Sequence, residues 1–322
     1  MTVLGHLFNI IIFVSFVGSV FSVLTLLAKK MLHIALPLWF CVCGIIFYLF
    51  PLIMPTLYIV PPEETSWVHG YQVACVIWIA GAALFSAYYV IKTKLACHAL
   101  KKYCICEEER INHIYAHCIA ALQLPKTPGL YFGTLKEPAC VIMTLRPAII
   151  LSEAIVKQLT EQELEIVLCH ELAHIKQLHH VWQCVFHFAG ILHWFNPFVW
   201  IAKNNFALQC EMDCDNKVLS LLKDKVSGSI YAAAMLHLME LSSTQYNHHG
   251  NSMEALGFIL AKQRIGFILN APSKIRMAAG KVLLVLFIAL TVLLSAYASR
   301  THFYPYPANS RSIEYSAPVI EQ

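Results

Sequence analysis

This 322-residue sequence is short of charge. Asp, Glu, Lys and Arg make up 13% of it and hydrophobic residues 58%, a balance that excludes an ordinary soluble protein. No internal repeat and no low-complexity run is present, so the length reads as one large domain or two small ones. Lys and Arg are absent before the first apolar run, and no convincing small-residue cleavage site follows it. That run therefore reads as an anchor in preference to a cleaved signal peptide. Lys and Arg are also absent from Tyr58 to Gln72, a stretch that carries Glu63 and Glu64.

Uncharged stretches are what the sequence has in their place. Leu7 to Ala28, Ile34 to Met54, Val73 to Ile91 and Val282 to Ala298 are each close to the roughly 20 residues that span a bilayer. Lys29 and Lys30 follow the first stretch, Lys92, Lys94, Lys101 and Lys102 the third, and Lys262, Arg264, Lys274, Arg276 and Lys281 precede the fourth. Basic residues favour the cytoplasmic side. The loop 58–72 is thus expected outside, residues 92–281 inside, and both termini outside, with 299–322 as a short external tail. The formal charge of +4 is concentrated at these flanks and calls for no nucleic-acid partner. Nine of the twelve cysteines fall in 92–281 and the other three in spans, so reduced thiols are expected. Cys104 and Cys106 have no matching pair that would complete a second zinc site.

The most informative stretch is Thr160 to Gln177, TEQELEIVLCHELAHIKQ. Thr160 and Glu163 have the spacing of a capping box, which predicts a helix start there. A 3.6-residue period then sets His170 and His174 one turn apart on one face, where two imidazoles can share one zinc ion. Glu171, rotated by about 100°, can reach a metal-bound water without becoming a ligand, the position of a general base. A third ligand is expected from Phe206 to Leu222, read as a second helix. Its Glu211 and Asp215 are one turn apart, so Glu211 can bind zinc while Asp215 accepts a hydrogen bond from a ligand imidazole. A rival is His180, at the spacing of the extended H-E-x-x-H-x-x-G-x-x-H motif, but Gln177 stands where that motif needs a turning Gly.

Between these landmarks Lys92 to Leu122 reads as helical, with Glu107, Glu108, Glu109 and Arg110 solvated, and Pro125 to Gly133 as turn-rich. Leu130 to Leu135, Ala139 to Thr144 and Ala148 to Leu151 read as strands. Such a sheet either offers an edge to an extended peptide or serves packing only. Val181 to Ala202 is apolar yet carries His187, His193 and Asn196-Pro197. It reads as a buried or interfacial helix, broken at Asn196-Pro197, that seats the domain against the bilayer.

Leu145-Arg146-Pro147 leading into Ile149-Ile150-Leu151-Ser152, then His170 to Lys176, then His193-Trp194-Phe195-Asn196-Pro197, then Glu211 to Asp215, resembles the MecR/BlaR-type integral-membrane zinc peptidases of bacterial β-lactam sensing. Lys262 to Gly280, with Asn270-Ala271-Pro272, is similar to the basic approach to that family's last span, and the likeness covers residues 1 to about 298. It implies a mainly α membrane protein of four transmembrane helices in a bacterial cytoplasmic membrane. A cytoplasmic α+β gluzincin-like metallopeptidase domain would lie between the third and fourth. One zinc per chain would be held by His170, His174 and Glu211, with Glu171 as general base and Asp215 behind the ligands. Family members respond to an external signal by cleaving themselves and promoting loss of a transcriptional repressor. The partners implied are therefore the bilayer, a peptide or protein substrate such as a repressor, and a second copy of the chain or a separate sensor subunit. Those sensors carry a penicillin-binding domain after the fourth span, whereas here Ser299 to Gln322 follow, a stretch with no Ser-x-x-Lys motif. β-Lactam specificity is therefore not carried over.

The expected reaction is peptide-bond hydrolysis. His237, His248 and His249 are available as oxyanion donors, although the simpler reading of each is a surface histidine. Two other functions fit the same residues: a membrane-protein quality-control protease of the HtpX or Ste24 sort, and a non-catalytic signalling protein with structural zinc. The last would favour four protein ligands, and three are visible.

Overall fold

A capped helix, α6 (Glu161–Lys176), organises the structure, a computed structural model. It describes residues 3–31, 38–49, 65–100, 103–135, 137–142, 147–245 and 252–269, with single positions at 278, 282, 285, 286 and 289. The Thr160 hydroxyl accepts from the Glu163 amide at 3.2 Å and the Glu163 carboxylate accepts from the Thr160 amide at 2.9 Å, so the capping box forms as its spacing predicts. Residues Leu164 to Ile175 are buried except Glu165 and Glu171, because α6 is packed by α4 (Glu109–Leu122), α7 (His179–Leu192), α8 (Pro197–Leu221) and one strand of a sheet.

That sheet has the order β1-β2-β4-β3, from β1 (Cys104–Ile105), β2 (Gly129–Gly133), β3 (Ala139–Ile142) and β4 (Ala148–Ser152). β2 and β4 are parallel, with Leu130 opposite Ile149, and the outer strands run antiparallel to them, Cys140 opposite Ile150. All five residues of β4 are buried, which explains its unbroken apolar run: a central strand is covered on both faces. β3 is an edge strand and the one that packs on α6. Three strands lie within a residue or two of the expected ranges. The helix expected over Lys92 to Leu122 is divided, because Cys104 and Ile105 pair with Phe132 and Tyr131, a long-range partner that no local pattern signals. α3 (Thr65–Leu100) ends before it and α4 begins after it.

The expected break at Asn196-Pro197 is present, but these residues start a helix as well as end one. The Asn196 side chain accepts from the Phe198 amide at 2.9 Å with Pro197 in the first turn, the favoured chemistry at a helix N-terminus. α8 therefore begins nine residues before the expected Phe206 and runs unbroken to Leu221. α9 (Gly228–Gln245), after a short linker, and α10 (Ser252–Leu269) follow, and α10 packs on α8 and α9.

α7 and the N-terminal part of α8 rest on α1 (Val3–Met31), α2 (Leu38–Leu49) and α3. Asn196 and His193 bridge this apolar contact: Asn196 Nδ2 donates to Ser15 O, Ser15 Oγ and Ser19 Oγ at 3.1, 2.6 and 2.8 Å, and His193 Nε2 to Tyr48 O at 2.9 Å, while His193 Nδ1 has no partner among the described residues. Ile12, Phe16, Val20, Leu24 and Leu27 form an exposed stripe on α1 with the period of one helix face. Among the described residues, Gln72–Leu95 of α3 is long and apolar enough to cross a membrane, and Val14–Leu27 is a shorter apolar helix. The expected first span falls on α1. α2 covers twelve residues of the second, whose ends lie outside the described residues. Residues 65–72 of the expected external loop are helical, the first turns of α3, and 58–64 lie outside the described residues. The chain divides at Lys281. Of the expected fourth span, Val282, Val285, Leu286 and Ala289 are described, all helical and exposed.

Candidate functional site

His170 and His174 occupy successive turns of α6, and their Nε2 atoms lie 3.3 Å apart. From α8, Glu211 places Oε2 3.3 Å from His170 Nε2 and Oε1 3.4 Å from His174 Nε2. A tetrahedral ion with bonds of about 2.0–2.1 Å has donor-to-donor edges of about 3.3–3.4 Å, so the three atoms already stand at the corners of one face. Two imidazoles and one carboxylate form a donor set that suits zinc, and three protein donors leave a fourth position open. Glu171 is half-buried beside them. Burial pushes its carboxyl above the usual range, and the neighbouring imidazoles oppose that rise, the direction a proton acceptor working near neutrality needs.

Behind these three donor atoms lies a further set of polar groups. His170 Nδ1 lies 3.2 Å from Asp215 Oδ1. Tyr231 of α9 donates to the same oxygen at 2.8 Å. Arg264 of α10 donates Nε to Asp215 Oδ2 at 2.8 Å and Nη2 to Oδ1 at 2.6 Å, while its Nη1 is 2.9 Å from Glu211 Oε2. Asp215 is fully buried, which by itself would raise its carboxyl, but Arg264 and His170 hold it at about 2. Burial disfavours the charged His170 imidazole, yet its bonds to Asp215 and Glu211 raise it to about 10. Burial opposes ionisation of Glu211 as well, and the two imidazoles and Arg264 hold it well below the usual carboxylate range.

His174 is backed by His179, whose Nδ1 is 3.0 Å from His174 Nδ1. The chain makes this contact by turning at Leu178, which adopts φ 55°, a left-handed conformation that costs a non-glycine residue roughly 1–2 kcal/mol. The sharp turn that the absent Gly at 177 had argued against is thus made one residue later, and it returns His179, not the rival His180. His180 belongs to neither group of converging donor atoms among the described residues, which are His170, His174 and Glu211, and His174, His179 and Cys214. His237 pairs with Glu163 Oε1 at 2.6 Å and belongs to neither group of donor atoms. His248 and His249 lie outside the described residues, as does Arg146.

β3 borders the site. Burial and then Glu211 raise the Glu137 carboxyl, and burial and then Glu171 raise the Cys140 thiol to about 11. The described cysteines of the segment 92–281 (Cys104, Cys106, Cys118, Cys140, Cys169, Cys184, Cys210 and Cys214) are thiols. Arg264, Tyr231 and His179 were missed in the sequence. Arg264 stood in a stretch read only as a basic membrane approach, and His179 needed the unsignalled turn at Leu178.

Comparison with known proteins bears on this geometry. The methicillin resistance mecR1 protein of Staphylococcus aureus is 24% identical over 205 residues, 63% of this chain and 33% of that protein. Regulatory protein BlaR1 of Bacillus licheniformis is 23% identical over 223 residues, 69% of this chain and 37% of that protein. The chain thus matches about a third of the length of these curated relatives. Residues 60–268, which hold every site residue named above, match the family described as BlaR1 peptidase M56. The chain belongs to the BlaR1 peptidase M56 family.

Proposed function

We propose that the chain is a membrane-embedded zinc endopeptidase acting in signal transduction, with His170, His174 and Glu211 as ligands, Glu171 as general base and Asp215 orienting His170. The observation that carries this reading is the face of three donor atoms 3.3, 3.3 and 3.4 Å apart, which fits a tetrahedral ion with one corner open. When bound, zinc would supply Lewis acidity and lower the pKa of a water in that open position. Glu171 then takes the proton of the attacking water and hands it to the leaving amine, a role that its burial-raised carboxyl supports. Asp215 accepts the Nδ1 hydrogen of His170 and keeps Nε2 turned toward Glu211. The edge strand β3 offers unpaired backbone groups beside Glu171, to which an extended peptide can add as a further strand.

The arrangement proposed around this site is the one read from the sequence. Spans at 7–28, 34–54, 73–91 and 282–298 anchor the chain in a bacterial cytoplasmic membrane, and the zinc domain, 92–281, lies inside. The apolar helix Gln72–Leu95, the exposed stripe on α1 and the family membership support it. Substrates in keeping with the names of the relatives, a regulatory protein and a resistance protein, are the chain itself and a cytoplasmic regulator such as a transcriptional repressor. Glu171→Gln tests the reading: proteolysis by the purified chain should fall to background while bound zinc stays at one per chain. Retained proteolysis would remove Glu171 from the mechanism.

A further inference from the structure

The polar group behind His174 is another imidazole where His170 has a carboxylate. His174 and His179 meet through Nδ1 at 3.0 Å, with ring centroids 5.1 Å apart and planes 75° to each other. That separation is an N–H···N hydrogen bond and is shorter than the edge of about 3.3 Å that two nitrogens on one ion would show. The distance therefore fits a shared hydrogen, not a metal ion, between them. One nitrogen must donate and the other accept. If His174 presents the lone pair of Nε2 to the cluster with His170 and Glu211, its hydrogen is on Nδ1 and it is the donor. His179 then accepts at Nδ1 and carries its own hydrogen on Nε2.

The surroundings of His179 set one cost against that assignment and a further loss against the alternative. It is fully buried, and its Nε2 has no hydrogen-bond partner among the described residues, the Asp213 carboxylate being 3.9 Å away. An unpaired buried N–H costs about 1–3 kcal/mol. The alternative tautomer would place a hydrogen on each facing Nδ1 and lose the one bond the ring does make. Cys214 Sγ, 3.6 Å from the same Nδ1 and 3.6 Å from Gln177 Oε1, has an amide oxygen to donate to and does not displace His174.

We infer that His179 is a positioning residue for the metal centre: its Nδ1 accepts the Nδ1 hydrogen of His174 and fixes the tautomer and ring orientation that turn Nε2 toward Glu211. This rests on the reading of His170, His174 and Glu211 as ligands. A neutral acceptor lends the imidazole less basicity than a carboxylate does, so the two histidine ligands are unequal and the site carries one negative charge fewer than a doubly carboxylate-backed one.

The test is zinc affinity, measured on the full detergent-solubilised chain by competition with a chromogenic chelator. His179→Asn keeps an acceptor oxygen where Nδ1 stood, and His179→Leu has nearly the same shape without it. His179→Leu should weaken zinc binding about 10–100-fold and His179→Asn less than about threefold. Equal affinities for the two variants would overturn the inference. So would two zinc ions per wild-type chain with one lost in both variants, which would give His174, His179 and Cys214 a metal of their own. His174→Ala separates this from the underlying reading, because that variant should lose zinc whatever His179 does; unchanged binding there would sink the ligand assignment itself. If His179→Leu does not fold, 15N spectra of the histidine-labelled zinc-loaded chain decide. The ring signals lost in His179→Asn should belong to an imidazole protonated on Nε2, and protonation on Nδ1 would overturn the inference.

Discussion

Removing Arg264 should unlock the rear of the site. Its guanidinium makes a two-pronged contact with Asp215 at 2.8 and 2.6 Å and a third contact with Glu211 at 2.9 Å. Asp215 is 0% exposed and Arg264 19%, so the pair is shielded from water and salt. Arg264→Ala leaves two carboxylates, one turn apart on α8, with the His170 imidazole but no guanidinium against them. Breaking one side of a buried ion pair costs about 3–5 kcal/mol. With about 2–4 °C per kcal/mol for a unit of this size, the metal-free chain should melt about 6–20 °C lower, followed by tryptophan fluorescence. Arg264→Lys keeps the charge but not the planar fork and should fall between. The deficit should narrow in acid, because an Asp215 released from Arg264 can take up a proton. A melting shift under about 2 °C, corresponding to less than about 1 kcal/mol, would refute the claim that this pair holds α10 to α8.

Two further outcomes follow from titration. His170 stands at about 10 when it bonds to Asp215 and Glu211, and a ligand imidazole must shed that proton. Apparent zinc affinity should therefore rise about tenfold per pH unit from about 7 to about 9, and a flat profile would contradict the pairing. Asp215 is depressed to about 2 from an ordinary value of about 3.9, so its stabilisation is complete above about 4 and is lost as pH falls toward about 2. Acid titration of the metal-free chain should show that loss, and unchanged stability across the window would count against a buried ionised Asp215. Asn196→Ala removes the cap on α8 and the bonds to Ser15 and Ser19. It should lower stability by about 1–3 kcal/mol with zinc content unchanged; equal melting of variant and parent would show that this contact does not secure α8.

Local features were legible in the sequence and long-range ones were not. Thr160 and Glu163 cap α6 within four residues, and the one-turn spacings of His170 with His174 and of Glu211 with Asp215 are properties of single helices, so a period of 3.6 reveals them. The convergence of α6 and α8 was inferable only because two such pairs were complementary in chemistry. Arg264 reaches Asp215 across 49 residues of chain and Tyr231 reaches it from α9, and no spacing announces either. β1 is two residues whose extended form exists through pairing with β2. Asn196-Pro197 was read as a break although its chemistry is that of a start, because the apolar residues on both sides resembled one continuous helix. His179 was hidden by a left-handed Leu178, a conformation that local preference disfavours.

X-ray absorption at the zinc edge of the purified wild-type chain tests the central claim most directly. The account predicts one ion with two imidazole nitrogens and one carboxylate oxygen at about 2.0–2.1 Å and a light-atom fourth ligand, with nitrogen and oxygen signals lost in His174→Ala and Glu211→Ala. A sulfur ligand at about 2.3 Å, or a spectrum unchanged by those two substitutions, would contradict it.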